Sequence, residues 1–128
     1  MARTPACPCG SGRRYDECCR PLHRGQDAAR TAEELMRSRY SAFVVHDASY
    51  LLRTWHPATR PESLDLDDRV RWTGLDVLAT EAGGPADERG LVEFRAHHVV
   101  AGVPGSLHEV SRFRRQGGAW LYVRGRHV

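Results

Sequence analysis

The chain has 128 residues, 41% of them hydrophobic and 27% charged, with a formal net charge of +3. That length suits one domain plus an appendage with a modest core, and no apolar run approaches the ~20 residues that cross a bilayer. All nineteen basic residues are arginine, which excludes a lysine Schiff base as a catalytic device.

The N-terminal segment holds every cysteine, as Cys7-Pro8-Cys9, eight residues, then Cys18-Cys19. Four soft donors suit a tetrahedral metal with Zn–S bonds of about 2.3 Å. Gly10-Ser11-Gly12 supplies a tight turn that brings the two pairs together. The spacing predicts a structural zinc knuckle in which Cys7, Cys9, Cys18 and Cys19 fill all four positions. Two disulfides joining Cys18 and Cys19 back to Cys7 and Cys9 are the competing arrangement, and free thiols or a redox role are the others. Residues 1–6 lack the apolar stretch of an export signal. A cytoplasmic, reducing location is therefore expected, which favours metal over disulfide. Four thiolates and one Zn²⁺ lower the net charge by two, and nucleic-acid binding is not expected of so neutral a chain.

Residues 20–30 are polar, broken by Pro21 and Gly25, and read as a linker, giving a knuckle over 1–25 and a second domain over 26–128. Thr31 with Glu34 is a capping-box signal. Leu35, Met36, Tyr40, Phe43 and Val44 follow at helical spacing. Asp47 caps a second helix bearing Tyr50, Leu51, Leu52 and Trp55, ended at His56 by Pro57. Residues 61–68 are read as one more helical turn. Strands are predicted over 70–78, 91–100, 107–115 and 119–124, with a tight turn at Gln116-Gly117-Gly118. Helices first and antiparallel strands after make an α+β fold.

Pairing through Gly117-Gly118 sets Phe113 opposite Tyr122, Arg115 opposite Trp120 and Ser111 opposite Arg124. A six-residue turn over 101–106 would set Phe94 opposite Phe113, Ala96 opposite Ser111 and His98 opposite Glu109. One sheet face then carries Val92, Phe94, Ala96, His98, Glu109, Ser111, Phe113, Trp120 and Tyr122 toward the helices. The other carries Glu93, Arg95, His97, Arg112 and Arg114. On the first helix Arg39 lies between Leu35 and Phe43, inside the apolar stripe, and a guanidinium there needs an anionic partner. Glu109 is the expected partner, with His98 beside it and Tyr40, His56, Trp72, Ser111 and Tyr122 nearby. Such a cluster is read first as an architectural tie between helix and sheet; the alternative is a pocket in which His98 or Glu109 is a general base and Arg39 grips an anionic group. Trp55, Trp72 and Trp120 are read as core fillers. Arg112 and Arg114 share a strand face that Arg115 does not, a poor basis for a nucleic-acid surface.

Two resemblances emerge from these motifs. Cys-Pro-Cys-Gly-Ser-Gly-Arg-Arg-Tyr-Asp-Glu-Cys-Cys resembles the SEC-C zinc motif found at the C-terminus of SecA, the preprotein translocase ATPase. The rest resembles the YchJ-like family of small bacterial proteins, through Met36-Arg37-Ser38-Arg39-Tyr40-Ser41-Ala42-Phe43, Trp55-His56-Pro57, His108-Glu109-x-Ser111-x-Phe113 and Gly118-x-Trp120-x-Tyr122. That resemblance implies a nuclear-transport-factor-2-like cone, a fold that hosts both enzymes and binding modules. The SecA knuckle binds the export chaperone SecB and has been linked to ribosomes, so the resemblance implies an adaptor with a protein partner at Arg13, Arg14 and Tyr15. The alternative is a small isomerase or hydrolase acting on a small polar or anionic molecule in the cone, drawing on His98, Glu109 and Tyr122.

Overall fold

The computed structural model describes residues 5–128, so residues 1–4 of the segment read for an export signal lie outside it. After a 3₁₀ turn at Tyr15–Glu17 come α1 (Arg20–His23), α2 (Ala32–Val44) and α3 (Ala48–Arg53). The strands β1 (Val70–Ala82), β2 (Arg89–Val100), β3 (Val103–Gln116) and β4 (Ala119–His127) follow. They form one antiparallel meander in the order β1-β2-β3-β4, with α2 packed across its inner face. This is the expected α+β architecture.

Both expected helix caps form. The Thr31 hydroxyl accepts from the Glu34 N–H at 3.1 Å, while the Glu34 carboxylate reaches back to the Arg30 N–H at 2.7 Å, so two orphan donors at the start of α2 are satisfied. Asp47 caps α3 by accepting from the Tyr50 N–H. Leu35, Met36 and Tyr40 then meet Val92, Phe94, Ala96, Phe113 and Trp120 in the main core.

Three local expectations are corrected. The linker contains α1, because Pro21 sits in the first turn, where its missing N–H removes no helical bond. Residues 61–68 form no helix; instead Leu64 and Leu66 pack on the Ala42, Tyr50 and Leu51 cluster as an extended strap. α3 ends at Arg53 rather than His56, since the Thr54 hydroxyl bonds back to the Tyr50 carbonyl and the backbone then turns to β4. There His56 N–H donates to the Tyr122 carbonyl and Tyr122 N–H to the Thr54 carbonyl, a parallel bridge of Trp55 with Tyr122.

The β2–β3 register also differs. Phe94 faces Glu109, Ala96 faces Leu107 and His98 faces Gly105, in place of Phe113, Ser111 and Glu109. The hairpin closes through two residues, Ala101 and Gly102, both with positive φ, the geometry that matches strand twist. Pro104 continues the strand at a point that β4 does not reach, so no bond to β4 is lost. The displacement is an even number of residues, so the same side chains stay inward. In the β3–β4 hairpin, Phe113 pairs with Tyr122 and Arg115 with Trp120 as expected. Val123 then bulges, and Ser111 faces Gly125 instead of Arg124.

Candidate functional site

The N-terminal lobe is built around sulfur. The ligand atoms of Cys7, Cys9, Cys18 and Cys19 all lie within 4.8 Å of one another. The Cys9–Cys18 and Cys18–Cys19 sulfurs are 3.7 and 3.9 Å apart. Four sulfurs about 2.3 Å from a common centre would be separated by roughly 3.8 Å, whereas a disulfide needs about 2.05 Å. The four cysteines are free, and the set has the shape of a tetrathiolate metal site.

Backbone turns produce that shape. The Cys7 N–H donates to the Arg13 carbonyl, the Gly10 N–H to Cys7, and the Cys18 N–H to Tyr15. Gly10 and Gly12, both near φ +80, let the loop fold back in a conformation that side chains disfavour. Two hydroxyls touch the sulfurs, Ser11 against Cys18 at 3.2 Å and Ser41 against Cys7 at 3.4 Å. Hydrogen bonds from Cys19 and Cys9 push the Cys7 thiol well down, while the same contact with Cys7 pushes Cys19 well up. Thiols this close cannot all ionise without a counter-charge, which a divalent cation would supply.

The lobe is fastened to α2 at several points. Arg37 donates from Nη1 to the Cys9 carbonyl at 2.6 Å. His23 is buried, with Nε2 2.8 Å from the Ser38 carbonyl and Nδ1 2.8 Å from the Tyr15 hydroxyl. A carbonyl only accepts, so Nε2 carries the proton and Tyr15 donates to Nδ1. Tyr15 is thus turned inward, in contrast to its expected place on a recognition surface, while Arg13 and Arg14 are exposed and both bond to Glu17. The roles of Ser41 and His23 have no local motif to announce them, because each depends on the docking of α2. Ser11 was legible only as a turn residue.

The cone holds a second candidate site, a cavity of about 240 Å³. Arg39, Tyr40, Trp72, Glu109, Ser111 and Tyr122 line it, together with Met36, Phe43, Trp55, Phe94, Leu107 and Phe113. His56 and His98 do not. The His56 ring bonds Gln116 and the Ala58 N–H at the protein surface. His98 packs edge-on against Trp72, with its Nδ1 buried and unpartnered. The expected Arg39–Glu109–His98 cluster is therefore not formed.

Arg39 is 6% exposed, inward as its helical position requires, but Glu109 is not its ion-pair partner. Its Nη1 donates to the Leu51 carbonyl and the Thr54 hydroxyl, both at 2.7 Å. Its guanidinium carbon lies 4.5 Å from the centre of the Tyr122 ring and 5.2 Å from that of Trp55. Helix-end acceptors and two π faces replace the carboxylate. Burial lowers the Arg39 pKa to about 10, and Glu109 acts on it only through space. The Glu109 carboxylate instead lies on Gly125, in the space that a Cβ there would occupy. Burial raises its pKa, partly offset by His127 and Arg39. The shifted register moved Glu109 from His98 to Phe94 and so out of the expected pair.

No helix among the described residues is long and apolar enough to cross a membrane. Residues 31–125 match the family model for the YchJ middle NTF2-like domain, and residues 3–21 match the SEC-C motif. A UPF0225 protein of Streptomyces coelicolor is 57% identical over 122 residues, covering 95% of each chain. One from Corynebacterium efficiens is 49% identical over 93% of this chain and 91% of its own. The solution structure of a SEC-C motif containing protein from Rhodopseudomonas palustris superposes with a TM-score of 0.85 at 37% identity, covering 95% of this chain and 98% of that one. A crystal structure of a SEC-C motif containing protein from Psychrobacter arcticus gives 0.77 at 29% identity, covering 92% and 80%.

Proposed function

Since the chain belongs to the YchJ-like family that joins a SEC-C motif to an NTF2-like domain, we propose that it is a zinc protein whose tetrathiolate folds the N-terminal lobe and presents it to a protein partner. The observation that carries the metal is the four-sulfur cluster, with all ligand atoms within 4.8 Å. Four thiolates fill a tetrahedral zinc, so the ion is structural and leaves no position for substrate. The exposed tip over residues 10–14 is the surface on which a partner would dock. Protein purified under reducing conditions should carry one zinc per chain by elemental analysis, and Cys18→Ser/Cys19→Ser should carry almost none. Metal-free wild-type protein would defeat the assignment.

A second reading concerns the cone. A cavity of about 240 Å³ under α2 is larger than packing defects in a close-packed interior, and supports binding of a small molecule there. Its volume falls below the roughly 300–1,000 Å³ of drug-sized sites, which limits the ligand to about one ring and a polar group. Entry of such a molecule would perturb the indole signals of Trp55 and Trp72, both in the wall.

A further inference from the structure

The cavity has two chemically different ends. Tyr40, Phe43, Trp72, Phe94, Leu107 and Phe113 give it an apolar wall. At the other end Arg39, Trp55 and Tyr122 meet, held together by the bridge between Trp55 and Tyr122. Both protein hydrogen bonds of the Arg39 guanidinium leave from Nη1, so Nε and Nη2 have no protein acceptor. Trp55 lines the same cavity, and its buried Nε1 also has no acceptor. A buried N–H without a partner is destabilising, and a buried guanidinium without a counter-charge more so. The ion pairs among the described residues do not include Arg39.

Resting on the reading of the cone as a small-molecule site, we propose that this end is a carboxylate subsite, and that the ligand is a small monocarboxylic acid with a flat apolar body. The carboxylate would accept from the donors of Arg39 that bond no protein acceptor and from Trp55 Nε1, the buried donor left without one. The apolar body would lie along the Tyr40, Trp72 and Phe94 wall. A dianion such as a phosphate monoester fits less well, because Glu109 lines the same cavity and one guanidinium cannot balance two added charges beside a carboxylate. The fixed geometry of Arg39 also favours a planar, bidentate acceptor. Position on α2 makes Arg39 the anchor, whereas Trp55 is a positioning donor supplied by the segment after α3.

Phenylacetate and its neutral isostere phenylacetamide are the probes, with phenyl phosphate as the dianion, titrated into the intact zinc-loaded protein. The indole N–H signals of Trp55 and Trp72, both in the cavity wall, are followed by NMR, Trp72 alone reporting in the Trp55 variant. Phenylacetate should shift both signals and bind at least about tenfold more tightly than the amide, the value of one hydrogen bond to a charged group. Trp55→Phe, which keeps an aromatic face and removes the donor, should narrow the gap by about the same factor. Arg39→Met should abolish the preference, and Trp55→Phe keeps the test decisive should that variant not fold. Equal binding of acid and amide would overturn the carboxylate subsite and leave the cone reading standing. Tighter phenyl phosphate than phenylacetate would overturn the monoanion assignment. Failure of all three probes to bind would overturn both readings.

Discussion

Arg39 shows how far one side chain can be placed by periodicity alone. Its position between Leu35 and Phe43 puts it in the core, and it is there, 6% exposed. Its partners were not readable, because the Leu51 carbonyl and the Thr54 hydroxyl are presented by a helix end whose angle is set by tertiary packing. Glu109 followed the strand register and came to rest on Gly125. Burial is the leading cause that raises its carboxyl above the ordinary range. The folded state then holds the proton more tightly than the unfolded chain. Its contribution is fully present below the unfolded carboxylate value and is lost as pH rises through the folded one. Glu109→Gln should therefore gain on wild type as pH rises from about 4.5, the ordinary value, through the raised folded one. Paired thermal melts at each pH check this, and a difference that stays flat with pH contradicts it.

Turns were less legible than strands. Residues at alternating positions gave the inner face of β2 and β3 correctly, because a period of two survives any even displacement. The β2–β3 connection did not yield, since Pro104 and Gly105 resemble turn residues as strongly as Ala101 and Gly102 do. What decides is twist: a two-residue loop with both φ positive continues the right-handed twist of the strands. Ala101, at φ +50, adopts that conformation at a cost of roughly 1–2 kcal/mol. Ala101→Gly should accordingly stabilise the protein by about 1 kcal/mol in denaturant melts, with the NMR pairings of β2 and β3 unchanged. Destabilisation would mean that the loop closes elsewhere. The sulfur motif, by contrast, was readable at once, because four thiols confined to so short a segment have few ways to meet.

Two units of unequal self-sufficiency make up the molecule. The sheet and α2 share a continuous apolar core, while the lobe has little beyond Cys7, Cys9 and Cys19 to bury, with Tyr15 and Cys18 packed against them. Its order rests on the four-sulfur cluster and the few bonds to α2, so on the zinc reading proposed above metal binding and lobe folding are one equilibrium. A zinc chelator should raise amide exchange at Cys7, Gly10 and Cys18, whose N–H groups bond within the lobe, by about a hundredfold or more, an opening free energy of a few kcal/mol. Amides of β2 and β3 should change little. Equal loss across the sheet would instead make lobe and cone a single cooperative unit. This division was only half visible beforehand: cysteine spacing marked the lobe, whereas its attachment through His23, Arg37 and Ser41 required the folded helix.

β1 lies at the margin of the meander, thirteen residues long, a length that could template addition of a foreign strand. Thr73 and Leu78 are squeezed out of its ladder with β2, which kinks the strand, and Gly10 of the lobe lies against the Leu75 carbonyl between them. The cysteine lobe thus stands over one point of an otherwise open border. On the zinc reading proposed above, removing the ion would uncover that point and leave the strand free along its whole length.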